Sequence, residues 1–197
     1  MKQNIPLQSI ISAWKGHENF AFWLVETVNP TTTVELGVDY GFSLFALAMP
    51  ERGHVYGIDL FGDYQKNYTG DLTTRPHVEK FMQDHNFTNI TLIQDEFASA
   101  ARKWTKPIDI LHIDGTHTHQ AISEDWANWS GFVQDHGMII MHDVIYFAEL
   151  TRFYNEITWH KAYFEHSAGL GIATKNPELL AAACQAFPNC RAGNIPQ

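Results

Sequence analysis

The chain has 197 residues, with 13 Lys and Arg against 22 Asp and Glu for a formal charge of -9, and 45% of its residues are hydrophobic. That apolar content excludes a disordered chain, and the scattered cations under an acidic balance exclude a nucleic-acid surface, whose affinity rests on clustered Lys and Arg. No run approaches the roughly 20 apolar residues that span a bilayer, and Met1-Lys2-Gln3-Asn4-Ile5-Pro6 lacks the apolar stretch of a signal peptide.

The expectation is a single soluble, cytoplasmic domain over 1–197, with residues 1–30 as a helical appendage and 31–197 as the core. Its partner is expected to be a small molecule, with no nucleic acid and no membrane. The apolar N-terminal segment could pack on its own sheet or on a partner chain, which leaves a homo-oligomer open. The only cysteines, Cys184 and Cys190, lack a second pair for a zinc site and read as reduced thiols.

From the N-terminus, Ile10, Ile11, Trp14, Phe20, Phe22, Trp23, Leu24 and Val28 have the spacing of one or two helices packed outside a sheet, ended by Asn29-Pro30. A regular alternation follows. The β-branched run Thr32 to Leu36 predicts a strand, a glycine turn leads to a helix from Ser43 to Met49, and His54 to Asp59 is the second strand. After a polar loop come a helix from about Thr73 to His85, a strand at Ile90 to Ile93 and a short helix at Phe97 to Lys103. Pro107 opens the fourth strand, His119 to Val133 reads as its helix, and Gly137 starts the fifth strand. A helix near Phe147 to Glu156, β-type runs at Thr158 to Phe164 and Leu170 to Thr174, and a terminal helix at Pro177 to Phe187 complete the chain. This order requires a mainly parallel sheet with helices on both faces, and the last two strands read as an antiparallel edge hairpin.

Ligands of such sheets bind beyond the carboxyl ends of the strands, so those ends carry the functional reading. Between strand and helix, Gly37 and Gly41 allow a tight turn and close approach of backbone to a ligand, while the helix start offers unpaired N–H groups. The spacing departs from G-x-G-x-x-G, which weakens a nicotinamide reading. Asp59 ends the second strand about twenty residues on, where a carboxylate can bind both ribose hydroxyls. The third strand ends in Gln94-Asp95-Glu96. The fourth ends in Asp114, followed by Gly115, Thr116 and His117, and the fifth in His142-Asp143. Asp114 could cap a helix or bind a cation, and two neighbouring strands ending this way would converge Asp114, His117, His142 and Asp143 on one spot.

The pieces V-E-L-G-V-D-Y-G-F-S, Y-G-I-D, I-D-I-L-H-I-D-G-T-H-T-H and G-M-I-I-M-H-D-V, in this order over about residues 33 to 146, resemble the class I S-adenosylmethionine-dependent methyltransferases. The likeness is greatest to the branch holding metal-dependent O-methyltransferases that act on sugars. The resemblance implies a Rossmann-like α/β fold with a mainly parallel seven-stranded sheet and an antiparallel C-terminal edge hairpin. It implies that Glu35, Gly37 and Gly41 line the methionine end of the cofactor, that Ser43 sits at the helix start, that Asp59 holds the ribose, and that Asp95 or Glu96 lies near the adenine. Asp114 would also belong to the cofactor-binding set. It further implies a divalent metal on Asp114, His142 and Asp143, with His117 as general base and Asp114 as its catalytic neighbour.

The related enzymes carry an acidic pair where this chain has His142-Asp143, and imidazole suits Mn²⁺, Fe²⁺ or Zn²⁺ better than Mg²⁺. His112 is expected to pack in the sheet, Glu124 and Asp125 to be solvated or paired, and Trp126 and Trp129 to be core. Tyr64, Tyr68, Tyr146 and Phe147 are candidate walls for an acceptor. Competing readings are a nicotinamide-dependent oxidoreductase, a metal-dependent hydrolase and a cofactor-binding regulator without turnover.

Overall fold

The computed structural model describes residues 2, 5–61 and 74–196; Tyr64 and Tyr68 lie outside them. Among the described residues an eight-stranded sheet has the order β3-β2-β1-β4-β5-β7-β6-β8. The strands β1 (Thr32–Leu36), β2 (His54–Asp59), β3 (Ile90–Gln94), β4 (Ile108–Ile113) and β5 (Val133–His142) are parallel. Against them β7 (Leu170–Thr174) runs antiparallel to β5 and to β6 (His160–Phe164). The edge hairpin thus forms as expected. One strand is additional: β8 (Arg191–Ala192) extends the edge beyond β6, and its two exposed residues carry no β-type pattern that a sequence reading could detect.

Both faces of the sheet are covered. β1 and β4 are buried at every position, as parallel strands between two helical layers must be. On one face lie α1 (Glu18–Val28), α2 (Phe42–Ala48), α3 (Arg75–Asp84) and α7 (Pro177–Ala186), sharing a core with Ile110, Met138 and Ile140. On the other lie α4 (Phe97–Lys103), α5 (His119–Trp129) and α6 (Ala148–Glu156), packed on Leu111, Ile113, Ile139 and Met141. The alternation along β4 and β5 assigns successive residues to opposite cores. Every residue of α2 is buried, because α1 covers the side of it that the sheet does not. Local chemistry fixes the helix starts: Thr118 accepts from Ala121 N at the head of α5, and Asn176 accepts from Glu178 N and Leu179 N ahead of α7, where Pro177 occupies the first turn.

Several boundaries shift by a residue or two, β5 starts at Val133 rather than Gly137, and two regions differ in kind. Residues Leu7–Ser9 form a 3-10 turn, and α1 starts only at Glu18. In between, Ile10 and Trp14 are buried while Ile11 is 79% exposed, so the helix-like spacing belongs to an irregular strap pinned by Trp14. The α5 helix stops at Trp129, a 3-10 turn covers Ser130–Phe132, and β-branched Val133 already lies in β5. No helix among the described residues is long and apolar enough to cross a membrane.

Candidate functional site

Strand register builds the site. Leu36 is level with Ile58 on β2 and with Ile113 on β4, and Ile113 is level with Met141 on β5. The next residues, Gly37, Asp59, Asp114 and His142, therefore form a row beyond the sheet, where the strand order switches direction between β1 and β4. They border a cleft of about 430 Å³, within the roughly 300–1,000 Å³ common for small-molecule sites.

On the β1–β2 side the wall is backbone. Gly37 and Gly41 have φ of 91° and 83°, in the left-handed region that favours glycine. A Cβ on Gly37 would sit 2.0 Å from the Asp114 carbonyl oxygen. Asp59 fixes the turn between them: one oxygen accepts from Val38 N (2.8 Å) and Asp39 N (3.3 Å), the other from Phe61 N (2.8 Å). Ser43, Asp95 and Glu96 also border the cleft. Lys103 Nζ holds Asp95 at 2.6 Å and keeps its carboxyl below the usual range.

Glu35 does not reach the cleft surface. It is fully buried, Ser43 Oγ donates to its Oε1 at 3.0 Å, and only Ser43 meets the open space. Register sets Glu35 opposite His112, whose Nδ1 is 3.2 Å from Glu35 Oε2 but off the line of a hydrogen bond. Trp14 Nε1 donates to His112 Nε2 at 3.2 Å, which leaves the proton of a neutral imidazole on Nδ1, facing the carboxyl. Burial raises the Glu35 pKa. The strap carrying Trp14 also brings Ile11, Ser12 and Ala13 to the cleft, and Ser167 Oγ donates to Lys15 O to hold it down.

On the β4–β5 side the wall is ionisable. His117 Nε2 lies 2.9 Å from Asp143 Oδ2 and 3.8 Å from Asp114 Oδ1. His142 Nδ1 faces the same two carboxylates at 3.5 and 3.4 Å, while its Nε2 is 2.9 Å from the Ser167 carbonyl, to which it donates. Asp143 sits at φ 63°, a conformation Asp tolerates, and Phe147 stacks on His117 with centroids 4.1 Å apart. Donor atoms of Asp114, His117 and Asp143 all lie within 4.8 Å of one another. His117 Nε2 is buried and, despite its 2.9 Å approach to Asp143, makes no aligned hydrogen bond. Two carboxylates and an imidazole around one point are a donor set that fits a divalent ion such as Mn²⁺ or Fe²⁺.

Charge in this wall is mutually determined. Burial opposes a proton on His117, but Asp114 and Asp143 outweigh it and raise its pKa to about 9; the same balance puts His142 at about 10. Burial likewise opposes charge on Asp114 and Asp143, and the two imidazoles hold both carboxyls below the usual range. With these carboxylates facing it His117 holds its proton at neutral pH, and a positive charge placed beside Asp114 and Asp143 would release it.

The structure brings Gly37, Gly41, Ser43, Asp59, Asp95, Glu96, Asp114, His117, His142 and Asp143 to one cleft and leaves Glu35 behind it. It puts His117 on the open side of the carboxylates and His142 on the buried side. Asp125, expected to be solvated or paired, is 8% exposed, its Oδ2 would lie 3.4 Å from a Cβ on Gly115, and burial raises its pKa to about 7. His119 turns away to Glu156, Trp129 is buried, and Trp126 packs on Phe153 and Trp159. Trp14 as the partner of His112, and the Ser167 carbonyl, carry no local signal, because each partner is about a hundred, or twenty-five, positions away.

A family model described as a methyltransferase domain matches residues 34–144. A Sinorhizobium fredii protein, named uncharacterized protein y4gI, is 27% identical over 139 residues, covering 67% of this chain; the chain spans about 15% of that protein's length. Among solved structures, a candidate caffeoyl-CoA O-methyltransferase from Staphylococcus aureus superposes with a TM-score of 0.71 at 12% identity, covering 88% of this chain and 94% of that one. The O-methyltransferase TomG from Streptomyces achromogenes, in complex with S-adenosylmethionine, gives 0.66 at 12% identity over 88% and 90% of the two chains. An O-methyltransferase from Bacillus cereus in complex with S-adenosylhomocysteine gives 0.62 at 14% identity over 84% and 82%.

Proposed function

The chain belongs to the methyltransferase domain family, and from that membership we propose that it transfers a methyl group from S-adenosylmethionine to a hydroxyl oxygen of a small molecule. The observation that carries the reading is one cleft with two unlike walls: a glycine turn clamped by Asp59, and a histidine–carboxylate cluster across from it. On the first wall, Gly37 and Gly41 leave room for the methionine part of the donor, Ser43 offers a hydroxyl, and Asp59 keeps lone pairs for the ribose. Asp95 and Glu96 border the adenine end. Glu35 acts from behind as the acceptor that orients Ser43.

The acceptor enters beside Asp114 and His117. Its hydroxyl oxygen attacks the sulfonium methyl in line; the new C–O bond forms as the C–S bond breaks, S-adenosylhomocysteine leaves, and His117 takes the hydroxyl proton. Most of the acceleration is orientation of the two reactants. Asp114 and Asp143 would hold a divalent ion, with His142 completing the set from the buried side and His117 left as the base; were His117 the ligand instead, the hydroxyl proton would pass to water. When bound, such an ion would acidify the acceptor hydroxyl and offset the carboxylate charge that keeps His117 protonated.

Ile11, Leu60 and Tyr146 are the exposed large apolar side chains among the described residues. Two of them border the cleft, and the third adjoins the Phe147 ring on His117. This rim favours an acceptor with an apolar body over a bare sugar.

Thermal unfolding with S-adenosylmethionine, S-adenosylhomocysteine or NAD, each with and without Mn²⁺ or Mg²⁺, tests the reading, because a ligand selective for the folded state raises its stability. Stabilisation by the first two is expected. Stabilisation by NAD alone would replace the methyl-transfer reading with hydride transfer. Electron paramagnetic resonance of Mn²⁺ with His142→Gln and His117→Gln separates the two candidate imidazole ligands.

A further inference from the structure

Away from the cleft, we propose that Cys184 and Cys190 close reversibly into an intramolecular disulfide, a modification site at the far edge of the sheet. Their Sγ atoms are 3.0 Å apart, inside the roughly 3.5–4.0 Å at which non-bonded heavy atoms sit best, and a shift of about 1 Å reaches the bonded length.

The approach is built into the chain. Cys184 lies in the last turn of α7, Phe187 N donates to Ala183 O at 3.0 Å as the helix ends, and Cys190 N donates to Phe187 O at 2.9 Å. The residues after Cys190 are held as β8, with Arg191 level with Tyr163 and Ala192 with Ala162 on β6. Between the two cysteines in sequence, Phe187 is wedged against Phe20, Trp23 and Phe164. Both ends and the middle of this short span are fixed, so bond closure asks for little ordering of the backbone.

Exposure sets the order of events. Cys184 is half-buried and Cys190 buried, so a small oxidant meets Cys184 first. With a low-molecular-weight disulfide RSSR, the Cys184 thiolate attacks one sulfur, forming Cys184–S–S–R and releasing RS⁻. The Cys190 sulfur then attacks Cys184 Sγ and expels the second RS⁻, which takes up the Cys190 proton. The two protein thiols are oxidised, RSSR is reduced to two RSH, and an added dithiol reverses the change. Burial, with the Cys184 sulfur beside it, pushes the Cys190 thiol well above its ordinary range, which keeps Cys190 from reacting directly with solution oxidants.

The test exposes the full chain to oxidised glutathione, followed by thiol titration and mass spectrometry of the peptide that holds both cysteines. The expected result is loss of both titratable thiols, a peptide lighter by two hydrogens with no glutathione attached, and full reversal by dithiothreitol. Cys190→Ser should retain one glutathione on Cys184, since the resolving sulfur is gone. A stable glutathione adduct on the unaltered chain, a disulfide between two chains, or two unreacted thiols would each overturn the proposal.

Discussion

The two walls of the cleft hold their shape by different means. On the β1–β2 side Asp59 takes three backbone amide hydrogens and Gly37 passes against the Asp114 carbonyl, so the geometry depends on hard contacts and neutral dipoles. On the β4–β5 side Asp114, Asp143, His117 and His142 hold one another through opposite charge. The first wall should fail when atoms are added and the second when charge is removed.

Adding one methyl group at Gly37 is the most severe way to test that contrast. In Gly37→Ala the new Cβ meets backbone, which cannot yield as a flexible side chain can, and the left-handed φ adds strain. A loss of at least about 3 kcal/mol is expected in urea unfolding, together with loss of stabilisation by S-adenosylmethionine; an unchanged midpoint would remove shape as the first wall's principle. Next in size, His117→Ala should lower turnover about 10²-fold or more while S-adenosylmethionine affinity, read by calorimetry, stays within about twofold. A matching fall in donor affinity would mean that the walls do not divide the work.

Asp125 extends the contrast to pH, because it is buried behind Gly115. Its folded pKa of about 7 exceeds the unfolded 3.8. Below about pH 4 both states are protonated and nothing is lost; as pH rises towards 7 the unfolded chain releases its proton first, so stability falls and then levels off. Asp125→Asn should therefore match the parent near pH 4 and exceed it at pH 8 by on the order of 2 kcal/mol, measured by denaturation at both values. A constant difference across that range would detach the effect from ionisation. The mildest change, Asp59→Asn, keeps the size of the side chain but replaces one acceptor oxygen by a donor. About tenfold weaker S-adenosylmethionine binding is expected, with a stability loss of about 1 kcal/mol because the new amide nitrogen must face a backbone N–H that the oxygen accepted; a much larger unfolding loss would mean that charge also holds the first wall.

Legibility in the sequence follows the range of the interactions. The strand–helix alternation and the glycine turn are local, so the parallel sheet and its edge hairpin were readable from runs of six or so residues. Strand ends could also be listed, because ligands of such sheets gather there. The unread parts are long-range. The Ile10–Trp14 spacing imitates a helix, and only the distant His112 shows that Trp14 is an anchor. Asp125 sits on a helix face that looks solvated until Gly115 is packed over it. That two carboxylates from different strand ends surround His117 and raise its pKa is likewise invisible in the local sequence.

The approach of Gly37 to Asp114 is reinforced by Gly37 N donating to Ile58 O at 3.0 Å and Asp114 N donating to Leu36 O at 2.8 Å. Three strand ends are sewn together at one seam, and neither wall can breathe alone. Methyl donor and acceptor should then be thermodynamically reciprocal: whichever binds first stiffens the seam, and each raises the affinity of the other by the same factor.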